Sequence, residues 1–231
     1  MTDIIPHYFK MDLFLQFIRC SELALFWIHL FNAFTSNYIY ERNKSLFLVI
    51  CFIFNGYFNQ YLKNYISRPL FKYFNDYIPI LGIGSRPEGA VDCGHFSSCP
   101  NVKSSSFGFP SGHSQFAGLY SGFMIREILA DSPNYSYNLL PATKKLNIFL
   151  YLSYVIIMMF SRIYVQGCHT LGQTIFGALI GLILGFFFNK IYKNYIIRYE
   201  NKFKRLTNYL DNPRSKALLI ISVIIMVMSA R

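Results

Sequence analysis

The sequence predicts an all-α fold, a polytopic transmembrane helical bundle of about six spans, and three observations carry that prediction. Of the 231 residues, 53% are hydrophobic and 19% aromatic while only 14% are charged, a balance too apolar and too poor in charge for an ordinary soluble domain. Six segments approach the ~20 apolar residues that a helix rising ~1.5 Å per residue needs to cross a hydrocarbon core ~30 Å thick. The basic residues stand beside those segments, so the net charge of +11 reads as a membrane-orientation signal and not as a nucleic-acid footprint.

Residues 1–21 are expected to form an N-terminal interfacial segment. From Tyr8 to Ile18 aromatic and charged side chains alternate, as in a helix lying in the headgroup plane, and neither a compact apolar run after a basic start nor a small-residue cleavage site is present to mark a signal peptide. Residues 22–231 are the membrane domain. Its first span, 22–39, is weak because it carries Glu22, His29 and Asn32; the others are 46–62, 113–130, 146–162, 170–189 and 216–230, the last short but almost wholly Ile, Leu, Val and Met. His29 reads as a hydrogen-bonded interior residue and His7 as a solvated one. The 24 Phe and 18 Tyr suit lipid-facing surface and interfacial anchoring better than base stacking, so no nucleic-acid partner is expected.

Between Lys190 and Lys216 eight Lys and Arg stand against Glu200 and Asp211, which puts that loop in the cytoplasm by the positive-inside rule. Counting spans back from it puts residues 40–45 (Arg42, Lys44) and 131–145 (Lys144, Lys145) on the same side, and turns residues 63–112 and 163–169 outward. The long outward loop nevertheless holds Lys63, Arg68, Lys72, Arg86 and Lys103. Basic residues where topology does not ask for them point to an anionic ligand, and loops of such length are commonly functional. Cys93 and Cys99 share the loop and either pair in an oxidising lumen or remain two free thiols. The set Cys93, His95, Cys99 and Cys168 lacks a zinc spacing, so neither a metal nor another cofactor is expected.

The same counting gathers Lys63, His113, Arg162 and His169 at one membrane boundary, a place for an anionic substrate. The run Phe109-Pro110-Ser111-Gly112-His113-Ser114 has the composition of a helix start. The Gly112 and His113 N–H groups, the Ser111 hydroxyl and the helix dipole can hold phosphate oxygens there; the alternative is a simple N-cap. At the other junction Ser161-Arg162 is followed by Gly167-Cys168-His169-Thr170 and Gln173, and Arg162 has the planar fork of a bidentate phosphate clamp.

These residues resemble the type-2 phosphatidate phosphatase family, which shares its site with vanadium haloperoxidases and glucose-6-phosphatase, over roughly residues 46–189. The family's second motif, Pro-Ser-Gly-His, matches in full at Pro110 to His113. Its third, Ser-Arg, five residues, His, three residues, Asp, matches Ser161, Arg162 and His169, but six residues separate Arg162 from His169 and Gln173 stands where Asp is usual. Its first, Lys, six residues, Arg-Pro, is irregular: Lys63 is followed by Arg68-Pro69 after four residues and by Arg86-Pro87 after many. Arg86 is the favoured match and Arg68 the alternative. His169-Thr170 with Gln173, the stretch Phe109 to Phe116, and Asn59 look like the dolichyl diphosphate phosphatase branch.

The resemblance implies that His169 attacks phosphorus, that the resulting phosphohistidine is hydrolysed by water, and that His113 protonates the leaving oxygen. Lys63, Arg86, Ser111, Gly112 and Arg162 would bind the phosphoryl oxygens. Gln173 would accept the hydrogen bond that orients His169 without supplying the charge of Asp, so that Gln173→Glu is expected to retain or raise turnover. The implied substrate is a phosphomonoester or diphosphate of a lipid, dolichyl diphosphate-like or phosphatidate-like, met among membrane lipids at the lumenal face, with the endoplasmic reticulum implied by the branch. The rivals are a phosphatase of a soluble sugar phosphate and a catalytically impaired lipid-binding or transport protein.

Overall fold

The structure is a computed structural model in which residues 5–36, 38–74, 84–87, 90, 107–130 and 141–197 are described. Every regular element among them is helical: α1 (Ile5–Thr35), α2 (Ile39–Tyr61), α3 (Arg68–Phe74), α4 (Gly112–Leu129), α5 (Pro141–Phe160) and α6 (Leu171–Ile191), with π-helical turns at Leu62–Ser67, Ser161–Val165 and Tyr192–Ile197. The chain divides into two compact units, Met1–Leu25 with Cys51–Asn189, and Phe26–Ile50 with Lys190–Arg231.

Three of the helical stretches among the described residues are long and apolar enough to cross a membrane: Ile39–Tyr73, Pro141–Val165 and Leu171–Asn194. They contain the expected spans 46–62 and 146–162, and the expected span 170–189 from Leu171 onward. Their outer faces carry the large apolar side chains that lipid tolerates and water does not, among them Ile156, Phe160, Ile183 and Phe187, all more than half exposed. The stretch Ile39–Tyr73 has 35 residues, a length of ~50 Å against a hydrocarbon core of ~30 Å, so one end stands clear of the core.

Helix α4 occupies the place of the expected span 113–130 without being apolar enough to qualify. The reason is its surroundings: Ser114, Gln115, Ser121 and Glu127 are all buried, and a helix enclosed by protein can carry polar side chains that a lipid-facing one cannot. Where an interfacial segment and a separate first span were expected, a single helix α1 runs continuously from Ile5 through position 22 to Thr35. The expected span 216–230 lies outside the described residues, as do His7 beyond its backbone, Cys93, His95, Cys99 and Lys103.

In the first unit α4 is central. Helix α2 runs antiparallel to it: Phe52 packs on Phe116 and Tyr120, while further along α2 Asn59 reaches back to Pro110. Helix α5 is also antiparallel, with Ser121 Oγ donating to Tyr151 O at 2.9 Å and Ala117 packed with Val155 and Met158. Helix α6 runs parallel to α4, from Gly177 beside Ser111 to Asn189, whose Nδ2 donates to buried Glu127 at 2.6 Å. The two parallel helices are nearly in backbone contact. A Cβ on Gly118 would lie 2.3 Å from Ala178 O, and one on Gly181 would lie 2.0 Å from Gln115 O, so both positions require glycine. From Ile18 the first helix joins this core, and Ser21 Oγ meets Tyr154 OH at 3.0 Å.

In the second unit His29 Nδ1 meets Ser45 Oγ at 3.3 Å, the hydrogen-bonded interior position read from the sequence. Tyr192 OH donates to Tyr40 O at 3.1 Å, and its ring packs on those of Tyr40 and Phe47.

Candidate active site

These directions bring four helix termini of the first unit to one end: the C-terminal ends of α2 and α5 and the N-terminal ends of α4 and α6. The two antiparallel helices each continue past their α-helical part into a π-helical turn, and each turn carries a cation of the site. Lys63 lies in Leu62–Ser67, whose closing bond runs from Arg68 N to Lys63 O. Arg162 lies in Ser161–Val165, closed by Gln166 N to Ser161 O at 3.0 Å. A π turn is one residue wider than an α turn and is found often at functional sites.

Six residues separate Arg162 from His169, and this stretch is held by the Gln166 N to Ser161 O bond and the Cys168 N to Arg162 O bond, each 3.0 Å. The chain then reverses at Gly167, whose φ of +61 lies in the left-handed region that glycine enters without steric cost.

His169 is 3% exposed. Its Nδ1 is 3.1 Å from Gln173 Oε1, and its Nε2 is 3.4 Å from Arg86 Nη1, which also donates to Cys168 O at 3.3 Å. A guanidinium only donates, so Nε2 is assigned the lone pair and Nδ1 the proton, given to Gln173 Oε1. Burial, followed by the charges of Arg86, Arg162 and Lys63, holds the imidazole well below its ordinary pKa, and the Gln173 bond opposes them in part. The ring is therefore neutral at pH 7 and presents Nε2 as a base or nucleophile amid three cations.

Arg162 is buried and its Nη1 donates to Gln166 Oε1. Of the two arginines left open by the first motif, Arg86 reaches His169, whereas Arg68 is exposed on α3. Cys168 is buried and disulfide-bonded, while Cys20 and Cys51 are free.

At the start of α4, Ser111 is fully buried and its side chain makes no capping bond. Ser114 Oγ donates to Ser111 Oγ at 3.1 Å, and Ser111 N donates to Gln173 O at 3.1 Å, so Ser111 occupies the N-cap position without a side-chain capping bond. Gly177 allows this close approach: a Cβ there would be 2.6 Å from Ser111 O. Gly112 lies beside Asn59, whose Nδ2 donates to Pro110 O at 3.3 Å and to Gln115 Oε1 at 2.8 Å, and Gln115 Nε2 donates to Asn55 Oδ1 at 2.9 Å. His113, half-buried, stands in the first turn of α4 at this same end.

The sequence reading passed over the supporting residues Asn55, Gln115, Gln166 and Gly108. A signal existed for the first two, since Asn55 and Asn59 are one helical turn apart in an apolar span and buried amides there need partners. None existed for Gln166 and Gly108, whose neighbours are set by tertiary approach.

A neutral imidazole facing three cations, at the common end of apolar helices, describes a class: a helical membrane protein that receives an anion beside a nucleophilic nitrogen. The family follows from the chain itself. A model of the PAP2 superfamily matches residues 44–197, two thirds of the sequence. The chain belongs to that superfamily of phosphatases, and three helical stretches among its described residues are long and apolar enough to cross a membrane. No curated protein and no solved structure matches it.

Proposed function

We propose that the protein is a multi-pass membrane lipid phosphatase that works through a phosphohistidine. His169 Nε2 attacks phosphorus as the bond to the leaving oxygen breaks. His113 gives that oxygen a proton, and water, deprotonated by His113, then releases inorganic phosphate and restores the imidazole. Arg86, Arg162 and Lys63 offset the charge that gathers on the phosphoryl oxygens, with Ser111 and Gly112 completing the cradle. The observation that carries this reading is the convergence of those three cations on a buried His169 whose proton is already committed to Gln173.

The lipid assignment rests on where the site is built. Lys63 and Arg162 lie in the π-helical turns that follow α2 and α5, within the apolar stretches Ile39–Tyr73 and Pro141–Val165, and His169 just precedes the stretch Leu171–Asn194, a level we assign to the headgroup of an amphiphile. A dolichyl diphosphate-like or phosphatidate-like substrate fits, with the site at the lumenal face that the basic 190–216 loop implies and about six spans in all.

The test is phosphate release by purified protein in detergent, without added metal, from dolichyl diphosphate, phosphatidate and a sugar phosphate. A lipid substrate cleaved by wild type and not by His169→Ala, with an acid-labile phosphoenzyme trapped during turnover, supports the reading. Cleavage of the sugar phosphate alone would assign a soluble substrate, and release from none would assign binding or transport.

A further inference from the structure

We infer that the Gln173 side chain ties the segment carrying Arg86 to the nucleophilic ring, and that this position requires a neutral amide. This rests on the phosphatase reading above.

Gln173 is wholly buried. Its Oε1 accepts from His169 Nδ1 at 3.1 Å and from Thr170 N at 3.3 Å, while its Nε2 donates to Ser85 O at 3.0 Å and Gly84 O at 3.4 Å. An amide offers two donors on one side and two lone pairs on the other, and here all four are engaged. A flip would set its N–H groups against two donors and its oxygen against two carbonyls, so one orientation holds.

The seat is close-fitting. A Cβ on Gly108 would lie 2.6 Å from Gln173 Nε2 and 2.8 Å from Oε1, so a larger residue there would displace the amide. Arg86 follows Ser85 directly, and its Nη1 reaches His169 Nε2. One residue thus controls both ring nitrogens: Nδ1 through its oxygen, and the surroundings of Nε2 through its hold on the backbone that carries Arg86.

A carboxylate at this position would keep the two acceptor bonds and lose both donors. Ser85 O and Gly84 O would be left unpaired in a dry environment, facing an anion. Arg86, Arg162 and Lys63 would attract the new charge, but they are the charges that receive the phosphate, so that attraction also works against turnover. The expectation taken from the family pattern, that Gln173→Glu retains or raises activity, is therefore reversed.

A double-mutant cycle tests this. Initial rates at pH 7.5 and the inhibition constant for inorganic phosphate are measured for wild type, Gln173→Glu, Arg86→Ala, the pair, and His169→Ala, each checked for folding by gel filtration in detergent. Gln173→Glu is expected to lower kcat/KM at least ~10-fold and to weaken phosphate binding, and the same change in the Arg86→Ala background to cost less than about threefold, because the tie no longer carries an arginine. Activity at or above wild type, or an equal loss in both backgrounds, overturns the inference. A pure ring-orienting role would leave the phosphate constant unmoved and overturns it as well. If Gln173→Glu does not yield folded protein, Gly108→Ala, which crowds the same amide, takes its place with the same two expectations. Full activity of His169→Ala would instead overturn the phosphatase reading, a separate result.

Discussion

The junction entering α4 and the junction entering α6 lie at the same end of the first unit and are built in opposite ways. Residues Gly108 to His113 are packed close: Ser111 is fully buried, Gly112 abuts Asn59, and Gly177 admits Ser111 to the backbone of α6. Ser111 is held there by the Ser114 hydroxyl and the Gln173 carbonyl, and Pro110 O by the Asn59 amide. Residues Ser161 to Thr170 depart from regular helix twice, at a π turn and at a left-handed glycine, and place a buried arginine and a buried histidine within that irregular stretch. Charge sits where the backbone is irregular, because a widened turn can aim a long side chain inward while its backbone stays bonded. The close-packed junction supplies the surface against which that charge is held. Gln173 belongs to both: its side chain holds His169 and its carbonyl holds Ser111.

The sharpest way to break this contrast is to remove one histidine from each junction. His169→Ala is expected to lower kcat ~10³-fold or more for every substrate, since no phosphoenzyme can form. His113→Ala is expected to cost ~10²-fold with an alkyl phosphate and far less with an aryl phosphate, whose leaving oxygen departs without a proton. Rates across leaving groups check this, and equal losses by both variants with the aryl ester would remove the division of labour.

Next in size is Arg162 on the irregular side, set against Arg68 outside both junctions. Arg162→Lys keeps the charge and loses the planar fork, and is expected to lower kcat/KM by about 10²-fold. Arg68→Ala, changing an exposed residue of α3, is expected to stay within about twofold of wild type. Loss of activity in Arg68→Ala with Arg86→Ala unaffected would return the first motif to Arg68-Pro69.

The two junctions also differed in how far the sequence revealed them. Span counting alone put Lys63, His113, Arg162 and His169 at one end, because parity depends only on where apolar runs begin and stop. The helix directions around α4 give the same end. At Ser111 the capping bond of the side chain is not made: its hydroxyl accepts from Ser114 within the same turn, while its backbone N–H goes to Gln173 O of α6. The spacing of six between Arg162 and His169 departs from the family pattern and runs through a π turn, which no residue type announces. The close approach of α4 and α6 was legible in principle from Gly118, Gly122, Gly177, Gly181 and Gly185 at four-residue intervals, but small residues mark an interface without naming its partner.

That helix contact gives a stability prediction on the regular side. Gly181→Ala would place a methyl 2.0 Å from Gln115 O, so α4 and α6 must separate, whereas a Cβ on Gly56 meets nothing within 4 Å. Gly181→Ala is expected to destabilise the protein by about 2 kcal/mol or more, seen as a lower unfolding temperature in detergent, and Gly56→Ala to leave it unchanged or slightly raised. Equal behaviour of the two would mean that the helices do not approach as described.

The smallest effect is the most direct measure of how the irregular junction tunes its histidine. His169 is held well below its ordinary value of 6.5 by burial and by Arg86, Arg162 and Lys63. Its nucleophilic form therefore persists as pH falls through 6.5, and the acid limb of kcat/KM, which reports the free enzyme, is expected below that pH. Arg86→Gln removes one of the lowering charges, so the limb is expected to move to higher pH, and the variant to lose proportionately more activity at pH 6 than at pH 8. The substrate's own ionisation near pH ~6 is common to both enzymes and cancels in the comparison. Stability carries the same sign: the unfolded chain takes up the proton that the folded site refuses, so the His169 contribution is lost as pH falls below the unfolded value. A limb that Arg86→Gln leaves in place would show that burial alone sets this ring, and that Arg86 acts only on the phosphate.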